Sequence, residues 1–254
     1  MTPSDSAPAS PTPGRMAGRI AVVTGASRGI GRAVAKRFAV EGAHVVAVAR
    51  TQAALEDLDD EVQAAGAQPL MLVPEDLTDY EKIDQMGAAL FQRFGRLDVL
   101  VGNAGYLGRL GPVGHTPPEM FQQVMDINLT ANWRLIRSLD PLLRQSEAGR
   151  AIFVTSGVGH EARAYWGAYA ISKAALEMMV GVYAAELLKT NVKVNLINPG
   201  RTRTDMRREA YPGENPETLP LPDAHAEAFV RLASPECQDH GALIDLPSLA
   251  ESEG

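Results

Sequence analysis

Arg19-Ile20-Ala21-Val22-Val23-Thr24-Gly25-Ala26-Ser27-Arg28-Gly29-Ile30-Gly31 is the stretch whose reading decides the fold. A short apolar run leads into a glycine-rich turn, and the turn leads into a helical pattern. Residues 20–23 read as a buried strand. Gly25, Gly29 and Gly31 let the chain turn sharply and bring backbone close to a ligand. Ala33, Val34, Ala35, Phe38 and Ala39 then recur at helical spacing. Such a strand, turn and helix start form an anion cradle, because free N–H groups and the positive end of the helix face the gap. The glycines are spaced G-x-x-x-G-x-G, not G-x-G-x-x-G. No Gly-Lys-Ser/Thr follows them, which argues against a nucleoside-triphosphate loop.

Outward from this unit the pattern repeats. The first helix ends near Glu41-Gly42, with Gly42 as its cap. Strands are expected at 44–49, 70–73, 97–101, 151–155, 192–197 and 242–246. Helices are expected at 52–65, 79–94, 119–143, 166–188 and 223–232, with a short one around 205–210. Thr51 and Asp223 are the candidate caps of two of them. Pro141 should kink or close the helix over 119–143. Strands alternating with helices through short links argue for a parallel sheet covered on both faces. Ligands of such sheets lie beyond the C-terminal ends of the strands, at the switch in strand order. Thr24-Gly25, Ala49-Arg50, Asp76 and Asn103 all fall at strand ends. The segment 201–222, broken by Pro212, Pro216, Pro220 and Pro222, is too long for a plain connector and reads as a loop or lid over that cleft.

Length and composition set the outer bounds. The chain of 254 residues carries a net charge of -7, which does not suit non-specific nucleic-acid binding. No apolar run approaches membrane-spanning length. One cysteine, Cys237, gives no disulfide framework, reads as structural, and fits a reducing, cytoplasmic setting. Residues 1–18 read as a disordered tail, 19–246 as one domain and 247–254 as a loose end. Met16 is an alternative start, which leaves open whether 1–15 belong to the mature protein.

Tyr169 and Lys173 are four residues apart on a helical pattern and so share a face. An ammonium near a phenol favours the phenolate and depresses its pKa. Such a tyrosine exchanges a proton with a carbonyl or alcohol oxygen near neutral pH. Ser156, at the end of the fifth strand, is placed to donate to the same oxygen. Asn128 interrupts an apolar helical face. It reads either as a buried amide satisfied by a neighbouring carbonyl or as a group ordering backbone or water behind the lysine.

These residues together resemble the classical short-chain dehydrogenases/reductases, over roughly residues 17–246. The family's Thr-Gly-x-x-x-Gly-x-Gly is Thr24 to Gly31, its Asn-Ala-Gly is Asn103-Ala104-Gly105, and its helix asparagine is Asn128. Its serine is Ser156, its Tyr-x-x-x-Lys is Tyr169 and Lys173, and its Pro-Gly is Pro199-Gly200 with Thr204 beyond. The run from Asn198 to Arg207 is similar to a poorly assigned bacterial subgroup. The resemblance implies a Rossmann-type, doubly wound, mainly parallel seven-stranded sheet in the order 3-2-1-4-5-6-7. It implies hydride exchange between a nicotinamide cofactor and a carbonyl or secondary alcohol, with no metal. Asn128, Ser156, Tyr169 and Lys173 would be the catalytic residues. Gly25, Ser27, Arg28, Gly29, Ile30, Gly31, Arg50, Asp76, Leu77, Asn103, Ala104, Gly105, Tyr169, Lys173, Pro199, Gly200, Thr202 and Thr204 would hold the cofactor. A homodimer or homotetramer through the helices at 119–143 and 166–188 is also implied. The Gly-Gly that many members carry after the last strand is replaced here by Pro247-Ser248.

An acidic residue at the end of the second strand would select NAD. That position is Ala49, followed by Arg50, with Arg28 in the glycine turn, so NADP(H) is expected, with NAD(H) left open. For the substrate, Tyr106 to Leu110, His160 to Arg163, Tyr165, Trp166 and the 201–222 loop should line the pocket. Arg109, Arg163, Arg201, Arg203, Arg207 and Arg208 would attract an acidic or phosphorylated substrate, or are surface arginines beside a core tryptophan. Two other readings stand beside the general reductase: a 3-oxoacyl-thioester reductase, and a non-catalytic NADP-binding regulator or scaffold.

Overall fold

A computed structural model describes residues 14–246. The strands are β1 (Ile20–Thr24), β2 (His44–Val48), β3 (Met71–Val73), β4 (Val99–Gly102), β5 (Arg150–Val154), β6 (Lys193–Asn198) and β7 (Leu243–Asp245). They form one seven-stranded sheet in the order β3-β2-β1-β4-β5-β6-β7. Every pairing is parallel. Chain order reverses between β1 and β4, so the crevice of this doubly wound sheet opens there.

The helices are α1 (Gly29–Val40), α2 (Gln52–Ala64), α3 (Tyr80–Phe94), α4 (Pro118–Met125), α5 (Ala131–Leu143), α6 (Gly167–Glu186), α7 (Asp205–Ala210) and α8 (Asp223–Ala233). They explain why the strands are unbroken apolar runs. Ala21 and Val23 of β1 join one core with Phe38, Leu55 and Phe229, whereas Ile20 and Val22 join another with Ile83, Leu139 and Leu176. Successive side chains point to opposite faces, and helices cover both. Among the described residues, no helix is long and apolar enough to cross a membrane.

Three expectations are corrected. First, the tail read as ending at residue 18 is already structured over 14–18. Met16 is fully buried, its N–H donates to the Glu41 carbonyl, and Arg15 bridges Glu41 and Glu227 at 2.9 and 2.6 Å. A methionine among polar residues gives no periodicity, so this anchor leaves no pattern. Residues 1–13 and 247–254 lie outside the described residues. Second, the expected helix over 119–143 is three pieces: α4, a π-helical turn Asp126–Thr130, and α5. The last piece does end where expected: α5 closes at Leu143, two residues after Pro141. Third, Thr51 occupies the N-cap of α2 without a side-chain bond, and Pro222 rather than Asp223 precedes α8.

Candidate active site

The glycine turn has the backbone it was read to need. Gly25 and Gly29 hold φ of 67° and 57°, in the left-handed region that favours glycine. Gly31 serves differently. It does not line the cleft, and a Cβ there would stand 2.3 Å from the Gly25 carbonyl oxygen and 2.4 Å from Asn103 Nδ2. Its bare backbone lets α1 start tight against the turn. Arg28 holds the N-cap position with no side-chain bond, so the first-turn N–H groups of α1 have no side-chain cap.

Thr24 joins the two strands at the switch point. Its hydroxyl donates to the Val101 carbonyl (3.2 Å) and accepts from the N–H groups of Asn103 and Ala104 (3.0 and 3.1 Å). Asn103 Nδ2 donates to the Thr24 carbonyl at 2.9 Å. The Asn-Ala-Gly run thus holds β1 and β4 in register where the crevice begins.

That crevice is a cleft of about 360 Å³ along the C-terminal ends of the strands. Every catalytic and cofactor-binding residue expected from the sequence lines it except Gly31 and Asn128. Arg28 and Arg50 stand at one end, largely exposed, 3.4 Å from Asp205 and 3.9 Å from Asp76 respectively. Such loose, solvated pairs are weak and leave both guanidiniums free to take a stronger anion. Asp76 also accepts from the Thr78 N–H and hydroxyl at 2.9 Å. Thr204 caps α7, accepting from the Arg207 N–H, and Thr202 is buried against His225 Nε2 at 2.9 Å.

Tyr169 and Lys173 are both buried on α6. Lys173 Nζ donates to the Val154 carbonyl at 2.8 Å and lies 5.7 Å from the Tyr169 ring centroid. The electrostatics differ from the expectation. Burial pushes the phenol up to about 12, opposed by a hydrogen bond with Ser156, and pushes the ammonium down to about 8, opposed by Glu177. Desolvation is the largest cause for both groups, because burial costs each charged form its water. The side chain of Glu177 accepts from Thr155 Oγ1 at 2.6 Å and contacts His160 Nδ1 at 3.1 Å. It thereby fixes the residue between Ser156 and the lysine's carbonyl partner.

Asn128 is fully buried in the π-helical turn. Its Oδ1 accepts from the Tyr106 N–H at 2.7 Å, and its Nδ2 donates to the Tyr106 carbonyl (3.0 Å) and Ser172 Oγ (2.9 Å). Ser172 in turn donates to the Tyr169 carbonyl at 2.7 Å. The asparagine therefore joins the loop after β4 to the helix bearing Tyr169. The Asn128→Ala protein should lose about 3 kcal/mol, because the buried backbone groups of Tyr106 would lose their partners. Urea unfolding measures it; a change within error would mean the loop is held by other contacts.

Toward the other end the cleft is apolar. Leu107, Val158 and Tyr169 form a buried cluster flanked by Trp166, Met206 and Ala210. Trp166, half-buried, lines the cleft and packs its ring 5.9 Å from Tyr169 and 5.8 Å from Tyr211. Tyr165 does not join this wall: it is 64% exposed and adopts φ of 72°. The segments His160 to Arg163 and Gly108 to Leu110 lie outside the lining too, so that Tyr106 and Leu107 alone line it from the expected 106–110 stretch. Sequence reasoning missed Gln123 and Ile127, which line the cleft from α4 and the π-helical turn, and Ser172 and Glu177, which position it. Only Ser172, three residues beyond Tyr169, carried a positional hint.

Four of the six arginines read as an attraction for acidic substrates are paired with carboxylates instead. Arg207 grips Glu214 with two bonds of 2.5 and 2.7 Å, and its guanidinium lies 3.8 Å over the Tyr211 ring. Arg201 approaches the same glutamate at 3.6 Å, Arg203 pairs with Glu217 and Arg208 with Asp205. Arg163 donates to the Tyr211 hydroxyl at 2.9 Å. Arg109 is exposed.

A parallel sheet with this crevice, a glycine cradle at the switch point, and Ser, Tyr and Lys gathered beside it place the protein in a known class. The chain matches the short chain dehydrogenase family over residues 19–215, belongs to that family, and is an oxidoreductase. Among curated relatives it is 41% identical over 206 residues to the uncharacterized oxidoreductase YciK of Escherichia coli K12, covering 80% of this chain and 81% of that protein. Its fold matches the solved structure of yciK, an oxidoreductase from E. coli, with a TM-score of 0.87 and 37% identity over 93% of this chain and 98% of that one. A short chain dehydrogenase of E. coli CFT073 complexed with NADPH matches with the same TM-score and identity, over 92% of this chain and 99% of that one.

Proposed function

We propose that the protein is an NADP(H)-dependent oxidoreductase that exchanges hydride with a carbonyl or secondary alcohol, with Tyr169 as the general acid and base. The observation that carries this reading is that buried Tyr169 and Lys173 line one cleft with Ser156, and the opposite end of that cleft has a glycine turn with two guanidiniums. The chain's own groups fit a phosphorylated dinucleotide. A Cβ on Gly25 would press on Asn103 Nδ2 at 2.8 Å, the α1 N-terminus offers N–H groups to the diphosphate, and Arg28 and Arg50 suit a 2'-phosphate. Ala49 presents no carboxylate against it. The bound cofactor supplies the hydride.

The remaining chemistry belongs to side chains. With its pKa pushed to about 12, Tyr169 is protonated at neutral pH and can donate to a carbonyl oxygen. Ser156 donates to the same oxygen and fixes its position. Lys173 keeps one N–H on the Val154 carbonyl, and its remaining donors would hold the ribose hydroxyls of the cofactor. Asn128 acts behind them as a positioning residue. The segment 201–222 serves as the substrate lid of a single catalytic domain spanning 19–246. The protein is read as cytoplasmic and as a homo-oligomer: Ile171, Met178 and Val182 lie exposed along one face of α6 and suit a helix–helix contact. The presence of all three reactive side chains weighs against a non-catalytic scaffold.

The test is NADPH oxidation across aldehydes, ketones, sugars and 3-oxoacyl thioesters, with NADH in parallel. Turnover on one class supports the reading, and absence of nucleotide binding overturns it at the glycine turn. In the same assay Arg50→Asp should weaken NADPH by about tenfold or more and NADH little, as expected for losing one charge-assisted phosphate contact. An unchanged preference would assign the phosphate to Arg28 alone.

A further inference from the structure

The apolar end of the cleft also states what kind of molecule it accepts, on the reading above that it receives the carbonyl compound. We infer that the substrate is uncharged and predominantly apolar, and that the Arg207–Glu214 pair enforces this. Leu107, Trp166, Met206 and Ala210 supply the wall around Tyr169. Besides Lys173, which is held on the Val154 carbonyl, Arg207 is the cation on this side of the lining, and its Nε and Nη2 both donate to Glu214 at 2.5 and 2.7 Å. Its flat face is covered by Tyr211 at 3.8 Å. Its side chain is 18% exposed and that of Glu214 19%, so the pair is sheltered from screening water.

A carboxylate or phosphate on the substrate has two routes, and both are unfavourable. It displaces Glu214, which is held in the same loop and also approached by Arg201 at 3.6 Å, or it enters the apolar wall unpaired and loses its hydration. An uncharged body meets neither penalty and gains from apolar burial. The wall is tied from three sides. The Gly111 N–H donates to the Tyr165 carbonyl at 2.8 Å, Arg163 stacks 5.9 Å from the Trp166 centroid, and the same Arg163 bonds Tyr211. The loops after β4 and β5 and the α7 segment therefore meet around one apolar mouth.

The test uses two ligands differing in one charge: methyl 4-acetylbenzoate and 4-acetylbenzoate. The chain has two tryptophans, so Trp133→Phe leaves Trp166 as the reporter in the full-length protein loaded with NADP. Quenching should give a dissociation constant for the ester at least about tenfold lower than for the acid. In Glu214→Gln, which frees Arg207, the acid should gain about tenfold against the ester. Equal or tighter binding of the acid by the parent protein overturns the inference, as does an unchanged ratio in Glu214→Gln or absence of quenching by either ligand. NADPH oxidation with the ester is measured separately. Discrimination in binding without oxidation would leave the uncharged site standing and count against the oxidoreductase reading alone.

Discussion

Replacing Tyr169 by phenylalanine should lower kcat by at least about 100-fold, the lower end of what a positioned general acid contributes, while NADPH affinity stays within about twofold. The substitution removes one hydroxyl and little else. The ring keeps its contacts with Trp166 and with the Leu107 and Val158 cluster, so the fold should tolerate it. The proton donor to the substrate oxygen is gone, and Ser156 loses its partner on the phenol. Single-turnover reduction followed at the nicotinamide absorbance separates this from slow product release. A variant retaining comparable turnover would remove Tyr169 from the chemistry and shift attention to Ser156 or a water held near it.

Gly31→Ala should be the most damaging single methyl that can be added to the cofactor end. The new carbon would stand 2.3 Å from the Gly25 carbonyl and 2.4 Å from Asn103 Nδ2. The first is backbone within the cradle. The second already holds the Thr24 carbonyl at 2.9 Å. Neither yields without moving the turn away from β4. Overpacking of this kind costs about 3 kcal/mol, and about half of that falling on the turn would weaken NADPH at least about tenfold. Gly114→Ala is the control, since nothing lies within 4 Å of a Cβ there. Differential scanning calorimetry with and without NADPH reads both effects. A Gly31→Ala protein matching the control in Tm and affinity would show that α1 starts with slack.

The sheet was legible because every central strand is buried on both faces and therefore written as a run of Val, Ile, Ala and Leu. The reactive residues were legible because chemistry restricts residue type and the α-helix restricts spacing. What escaped has one cause: it depends on partners distant in the chain. The spacing of Tyr169 and Lys173 says that they are neighbours, but not that both are buried deeply enough for desolvation to dominate their protonation. Six arginines look like an attraction for anions until Glu214, Glu217 and Asp205 are seen to hold several of them. Met16 has no periodic companions, and its burial follows from joining the core of Phe38 and Phe229 rather than from its sequence neighbours. The π-helical turn at Asp126–Thr130 was hidden because the apolar residues on either side each obey a helical period.

That turn bears on how this chain tolerates change in length. A wide turn holds one residue more than an α-helix would use for the same advance. Each residue of an α-helix swings the side chains about 100° around the axis. Deleting one residue between Asp126 and Thr130 would let the backbone close into continuous α-helix, and α4 and α5 would both survive as rods. The amide of Asn128 would then be swung out of reach of Tyr106, and the loop beside Tyr169 would lose its tether. A gap at this seam in a related chain therefore marks a protein that kept its scaffold and gave up its alignment of the reacting groups.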